Sequence, residues 1–177
     1  MIGVNQQNMN GTNRGLVLKS IMMKSPISRV ELSRMTGLSK MTVSGLVNDY
    51  VEKGIVWECG ESDSTGGRRR TFLDVVPDSL LTLGIYIGRD ILNVGVIDLK
   101  GKILQSESLV LSIVENNEMF IQNLFLLCDR LIDTKYRDKI WGIGVSCAGP
   151  LLARDGVILN PPDFNNIRDL PIATILT

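Results

Sequence analysis

SRVELSRMTGLSKMTVSGLVNDYVEKG, from Ser28 to Gly54, decides how the first part of this chain folds. Ser28 stands three residues before Glu31, the spacing of a capping box, so a helix is predicted to open there and run through Met35. Thr36-Gly37-Leu38 breaks it, because glycine accepts the positive φ of a sharp turn. Ser39 caps the next helix, and Gly54 ends it as the residue just past the C-cap. On that helix Val43, Leu46, Val47 and Tyr50 recur at helical spacing and share one apolar face. Met41, Gly45, Asn48 and Glu52 point the opposite way, flanked by Thr42 and Ser44. Two short helices joined by a glycine turn, the second leading with small polar residues, predict a helix-turn-helix.

The flanks extend this reading. Val17, Leu18, Ile21 and Met22 predict a preceding helix over Asn13 to Lys24, stopped by Pro26. After Gly54, IVWECGE and TFLDVVP read as two short strands around SDSTGGRRR. The result is a winged helix-turn-helix whose hairpin tip carries Arg68, Arg69 and Arg70. A recognition helix enters a major groove about 12 Å wide, which favours small or flexible leading residues. Ser39, Thr42 and Ser44 offer hydroxyls for phosphate or base edges. Asn48 offers a carboxamide that suits adenine, and Lys40 suits a phosphate. Arginines on a glycine arm reach phosphates or a narrow minor groove. Any three-helix bundle shows such faces, and a basic triplet is usually a solvated loop. The triplet's place at the wing tip favours duplex DNA as the partner.

Charge agrees with that division. The 177 residues sum to zero net charge. Residues 1–76 carry ten Lys and Arg against seven Asp and Glu, a net of +3, while residues 77–177 carry nine against twelve, a net of −3. A basic front suggests a polyanion partner and an acidic back suggests a different task. The chain has no histidine, which removes Ser-His-Asp and Cys-His triads and every His-containing zinc site. Three scattered cysteines argue against a disulfide framework. The polar start and the lack of a spanning apolar run predict a cytoplasmic protein with no membrane partner. No cofactor or metal is expected.

Pro77-Asp78-Ser79 marks a boundary between two domains, 1–76 and 77–177. Beyond it, Leu81–Ile87, Asn93–Leu99 and Lys102–Val110 predict strands, with Lys100-Gly101 turning between the last two. Met119 to Ile132 is a helix with a broad apolar face, and Ile140 to Cys147 is a further apolar strand. The chain is therefore α/β overall. The order βββαβ resembles the N-terminal subdomain of the actin-like ATPase and sugar kinase superfamily.

NRGLVLKSIMMKSPISRVELSRMTGLSKMTVSGLVNDYVEKGIV, followed by GGRRRTFLDVVP, resembles the N-terminal domain of the ROK family regulators, in particular the xylose-repressor-like group. GIGVSCAGPLLARDGVILNPPDFNNIRDLPIATIL is similar to that family's strand, loop and hairpin segment with the start of the next helix. The resemblance implies a non-catalytic, DNA-binding repressor of sugar-utilisation genes, joined to a partial actin-like subdomain. The alternatives are a fragment of a ROK sugar kinase, or a DNA-binding module whose back half serves protein association. Gly45 departs from the resemblance, standing where such helices often carry a basic or polar side chain. Arg70 stands where proline often follows. Where ROK kinases hold Asp-x-Gly-x-Thr, this chain reads Tyr86-Ile87-Gly88-Arg89-Asp90. A carboxylate at a phosphate site repels the ligand, so ATP chemistry is not expected. The family's sugar-binding and catalytic residues lie beyond what is present here. A sugar effector is thus expected only for a longer chain, and the single wall that this chain supplies is expected around 160–166. The strand Ile140–Cys147 is expected to leave an open edge and favour self-association.

Overall fold

A computed structural model of the chain describes residues 6–62, 70–111, 114–132, 135–161 and 167–177. The chain divides into two compact units, Met1–Ser79 and Leu80–Thr177.

In the first unit, α1 spans Gln6–Lys24, α2 Arg29–Thr36 and α3 Lys40–Glu52. Helix α1 starts well before Asn13, because a polar opening turn carries no apolar period to announce it. The capping box at α2 is complete. The Ser28 backbone N–H donates to Glu31 Oε2 at 2.9 Å, and the Glu31 N–H donates to Ser28 Oγ at 3.3 Å. Such a cap contributes about 1 kcal/mol. Gly37 adopts φ 71° and its N–H donates to the Ser33 carbonyl at 3.1 Å, turning the chain toward α3. Ser39 caps α3 by accepting from the Thr42 N–H at 3.1 Å. Gly54, at φ 68°, turns the chain away after Lys53. Val17, Ile21, Leu32, Val43, Leu46, Val47 and Tyr50 are buried together with Ile55, Val56, Leu73 and Val75. Each such side chain contributes about 1.5–3 kcal/mol by leaving water.

The unit's sheet holds three strands: β1 (Ile27–Ser28), β2 (Val56–Ser62) and β3 (Arg70–Val75), in the order β1-β3-β2. Strands β2 and β3 are the foreseen hairpin. Strand β1 is a finding the sequence did not signal. Two residues show no period, and their pairing of Ile27 with Leu73 and Ser28 with Phe72 depends on chain distant in sequence. The capping serine of α2 is thereby pinned to the hairpin.

In the second unit, β4 (Leu81–Ile87), β5 (Ile91–Asp98) and β6 (Ile103–Val110) form an antiparallel meander. Helix α4 (Asn117–Ile132) follows, and then β7 (Ile140–Cys147) pairs parallel to β4, giving the order β6-β5-β4-β7. Alternate residues of β4, Leu81, Leu83, Ile85 and Ile87, are buried in one core with Leu92, Val94 and Val96 and with Phe120, Leu124, Leu127, Cys128 and Leu131 of α4. Alternation of period two on the strands and 3.6 on the helix brings these faces together. On the opposite sheet face Gly84 leaves room for Ile97: a Cβ added at Gly84 would sit 2.5 Å from Ile97 Cδ1. A short hairpin of β8 (Leu151–Leu152) and β9 (Val157–Ile158) and a one-turn α5 (Ile172–Ile175) complete the unit. The Asn117 side chain brackets the backbone of Arg168, donating to its carbonyl at 2.7 Å and accepting from its N–H at 3.0 Å.

Candidate nucleic-acid interface

Helix α3 presents two faces, as its sequence requires. Val43, Leu46, Val47 and Tyr50 are buried, while Lys40, Met41, Thr42, Gly45 and Asn48 are exposed and Ser44 is half-buried. The apolar face has to point into the unit, so the polar face has to point out. Ser39 and Thr42 share a hydrogen bond between their hydroxyls at 2.9 Å, which orients both at the start of the helix.

Two clamps hold α3 in place. Tyr50 donates its hydroxyl to the Arg14 carbonyl at 2.8 Å, and the Arg14 guanidinium is ion-paired with Asp49. Burial raises the Tyr50 hydroxyl above the ordinary tyrosine pKa; Arg14 opposes that rise and Asp49 adds to it. The second clamp was not foreseen. Arg29, the first residue of α2, donates to Asn48 Oδ1 at 2.9 Å and to Glu58 Oε1 at 2.9 Å. One side chain thus joins α2, α3 and the first strand of the hairpin. No local signal points to it, since its partners lie 19 and 29 residues away. It also changes the reading of Asn48, whose carboxamide oxygen is engaged within the protein.

Ser39, Lys40, Thr42, Ser44 and Asn48 therefore fall on one helix and within three turns. Arg68 and Arg69 lie outside the described residues. Arg70 opens β3, paired with Ser62 across the hairpin.

In the second unit, residues 88–90 form the turn between β4 and β5, and Tyr86 lies near the end of β4. The Gly88 N–H donates to the Ile91 carbonyl at 2.9 Å. The Tyr86 ring lies over this glycine, so that a Cβ there would sit 2.8 Å from Tyr86 Cε1. Most of the 160–166 segment lies outside the described residues. Among the described residues no group of His, Cys, Asp and Glu is arranged to hold a metal ion, and no helix is long and apolar enough to cross a membrane.

Comparison with known proteins gives the class first. The fold matches the crystal structure of a ROK family transcriptional regulator, a homolog of the Escherichia coli Mlc protein, with a TM-score of 0.70 over 94% of this chain and 42% of that one, at 19% identity. The likeness at that identity concerns the fold. Sequence similarity narrows the group. The chain is 34% identical over 166 residues to the xylose repressor of Bacillus subtilis (strain 168), covering 90% of this chain and 41% of that protein. It is 30% identical over 166 residues to the xylose repressor of Caldicellulosiruptor bescii, covering 93% and 41%. It is 23% identical over 176 residues to the DNA-binding transcriptional repressor Mlc of Escherichia coli (strain K12). The chain is similar in sequence to these repressors and spans about two-fifths of the length of the curated relatives it matches. No protein-family model matches the chain.

Proposed function

We propose that this chain is the DNA-binding portion of a sugar-responsive transcriptional repressor and has no enzymatic activity. The carrying observation is α3, which exposes Lys40, Thr42 and Asn48, with Ser44 half-buried beside them, on a helix anchored by its buried face. The three helices with the β2–β3 hairpin are read as a winged helix-turn-helix, residues 1–76, with α3 as the recognition helix. Lys40 and the wing arginines Arg68, Arg69 and Arg70 contact phosphates or the minor groove. Thr42, Ser44 and the amide end of Asn48 address base edges. Residues 77–177 are read as the first part of an actin-like subdomain, with sugar response residing in a longer chain. The relatives named xylose repressor support this reading and suggest a pentose-linked operon, in the cytoplasm.

Tyr86 favours scaffold over catalysis. A ring covering the turn glycine fills the space in which a phosphate would meet the backbone, and Asp90 adds a repelling charge.

The test is selection of duplex DNA from a randomised pool, followed by anisotropy titration at several salt concentrations. A specific duplex bound more tightly than the pool, with affinity falling steeply as salt rises, is the expected result. A chain that enriches no duplex and binds the pool without salt dependence is not a DNA-binding protein.

A further inference from the structure

Gly45 sits in the middle of α3, a position where glycine weakens a helix relative to alanine. Among the described residues nothing asks for it. A Cβ built there meets no atom within 4 Å, and the residue is exposed. One turn earlier on the same face, Met41 is 86% exposed, the highest exposure among the large hydrophobic residues described. The outward ridge of α3 thus pairs a bare stretch of backbone with a long, flexible, apolar side chain that cannot donate a hydrogen bond. Single exposed apolar residues are ordinary on protein surfaces. An exposed methionine beside an internally unneeded helix glycine is a more specific combination, because both lower the cost of bringing this face against a surface.

We propose that Gly45 and Met41 form a thymine-reading notch. The missing side chain at Gly45 lets α3 settle deeper toward the base edges, and the Met41 thioether chain packs against a thymine methyl. Thymine is the one base that presents a methyl group in the major groove, and apolar side chains read it by contact. Methionine suits the role, being unbranched and polarizable. The proposal rests on the reading that α3 enters the major groove.

The test compares the unaltered chain with Gly45→Ala and Met41→Ala. Binding is titrated against a pool-selected duplex and against the same duplex with each thymine in turn replaced by uracil, which removes only the methyl group. Denaturant unfolding is measured on all three proteins. Gly45→Ala is expected to raise the unfolding midpoint while weakening DNA binding by about tenfold or more, the scale of one misfitted base pair. The unaltered chain is expected to lose affinity several-fold at one or two thymine positions, and Met41→Ala to lose that discrimination. A Gly45→Ala variant that is less stable, or that keeps full affinity, overturns the notch. So does a Met41→Ala variant with the thymine preference intact. Failure of the unaltered chain to bind any duplex overturns the DNA-binding reading itself, an outcome distinct from these.

Discussion

Arg29 donates to the carboxamide oxygen of Asn48 at 2.9 Å, and its second terminal nitrogen reaches Glu58 at the same distance. The start of α2, the outer face of α3 and the hairpin strand β2 are therefore coupled through one half-exposed guanidinium. Exposed pairs contribute little, commonly below about 1 kcal/mol. A double-mutant cycle on stability with Arg29→Ala and Asn48→Ala should give a coupling of about 0.5–1 kcal/mol, as expected for residues in direct contact. Strict additivity would remove the bridge from the account. In DNA titrations Ser44→Ala should relax preference at one base pair, at a cost of about 1–3 kcal/mol. Asn48→Ala should in addition weaken binding at every sequence, because it also releases Arg29 from α3.

Replacing Arg68 and Arg69 with alanine should lower affinity for all duplexes alike. If each arginine neutralises one phosphate, the slope of log affinity against log salt becomes shallower by about 0.9 per arginine removed. An unchanged slope in the paired variant means that Arg68 and Arg69 do not contact phosphates.

The β4–β5 turn is expected to bind no nucleotide. Calorimetric titration with ATP and magnesium should give no heat beyond dilution. Micromolar binding that is abolished by substituting Gly88 would falsify the reading of Tyr86 and Asp90 as a replaced phosphate site.

Strand β7 lies at the end of its sheet and is uncharged from Ile140 to Cys147. Trp141, Ile143 and Val145 along it are all exposed. An unpaired, apolar strand edge templates pairing with another copy. This chain should therefore self-associate in a concentration-dependent way by sedimentation, and Ile143→Lys should shift it toward monomer with unfolding unchanged. Equal association of the variant would place the contact elsewhere.

Cys128 lies buried on α4, and desolvation pushes its thiol up to about 11, with the Asp129 charge adding to the rise. Its folded-state pKa lies above that of the unfolded chain. The linked stability is thus complete below about pH 9 and is lost as pH rises toward 11. Denaturant midpoints should fall across that window, and Cys128→Ala should reduce the fall. A slope that is the same in the variant assigns the alkaline loss to other groups.

Sequence determined the elements and their faces. The capping box at Ser28 and Glu31, the turn at Gly37 and the Ser39 cap are local hydrogen bonds written within four residues of chain, so their geometry is legible in a string of letters. The same holds for the burial of Val43, Leu46, Val47 and Tyr50, and for strand β4, because period alone assigns a side chain to the wet or dry side. Tertiary structure alone decided what those elements touch. Ile27 and Ser28 become a strand only because β3 arrives beside them. Arg29 finds Asn48 and Glu58, and Asn117 finds Arg168, across loops whose closure no local pattern encodes. The outward side of α3 was legible. The engagement of its Asn48 by an arginine, and the open space around Gly45 among the described residues, were not, because both depend on where distant backbone is brought by the core of the first unit.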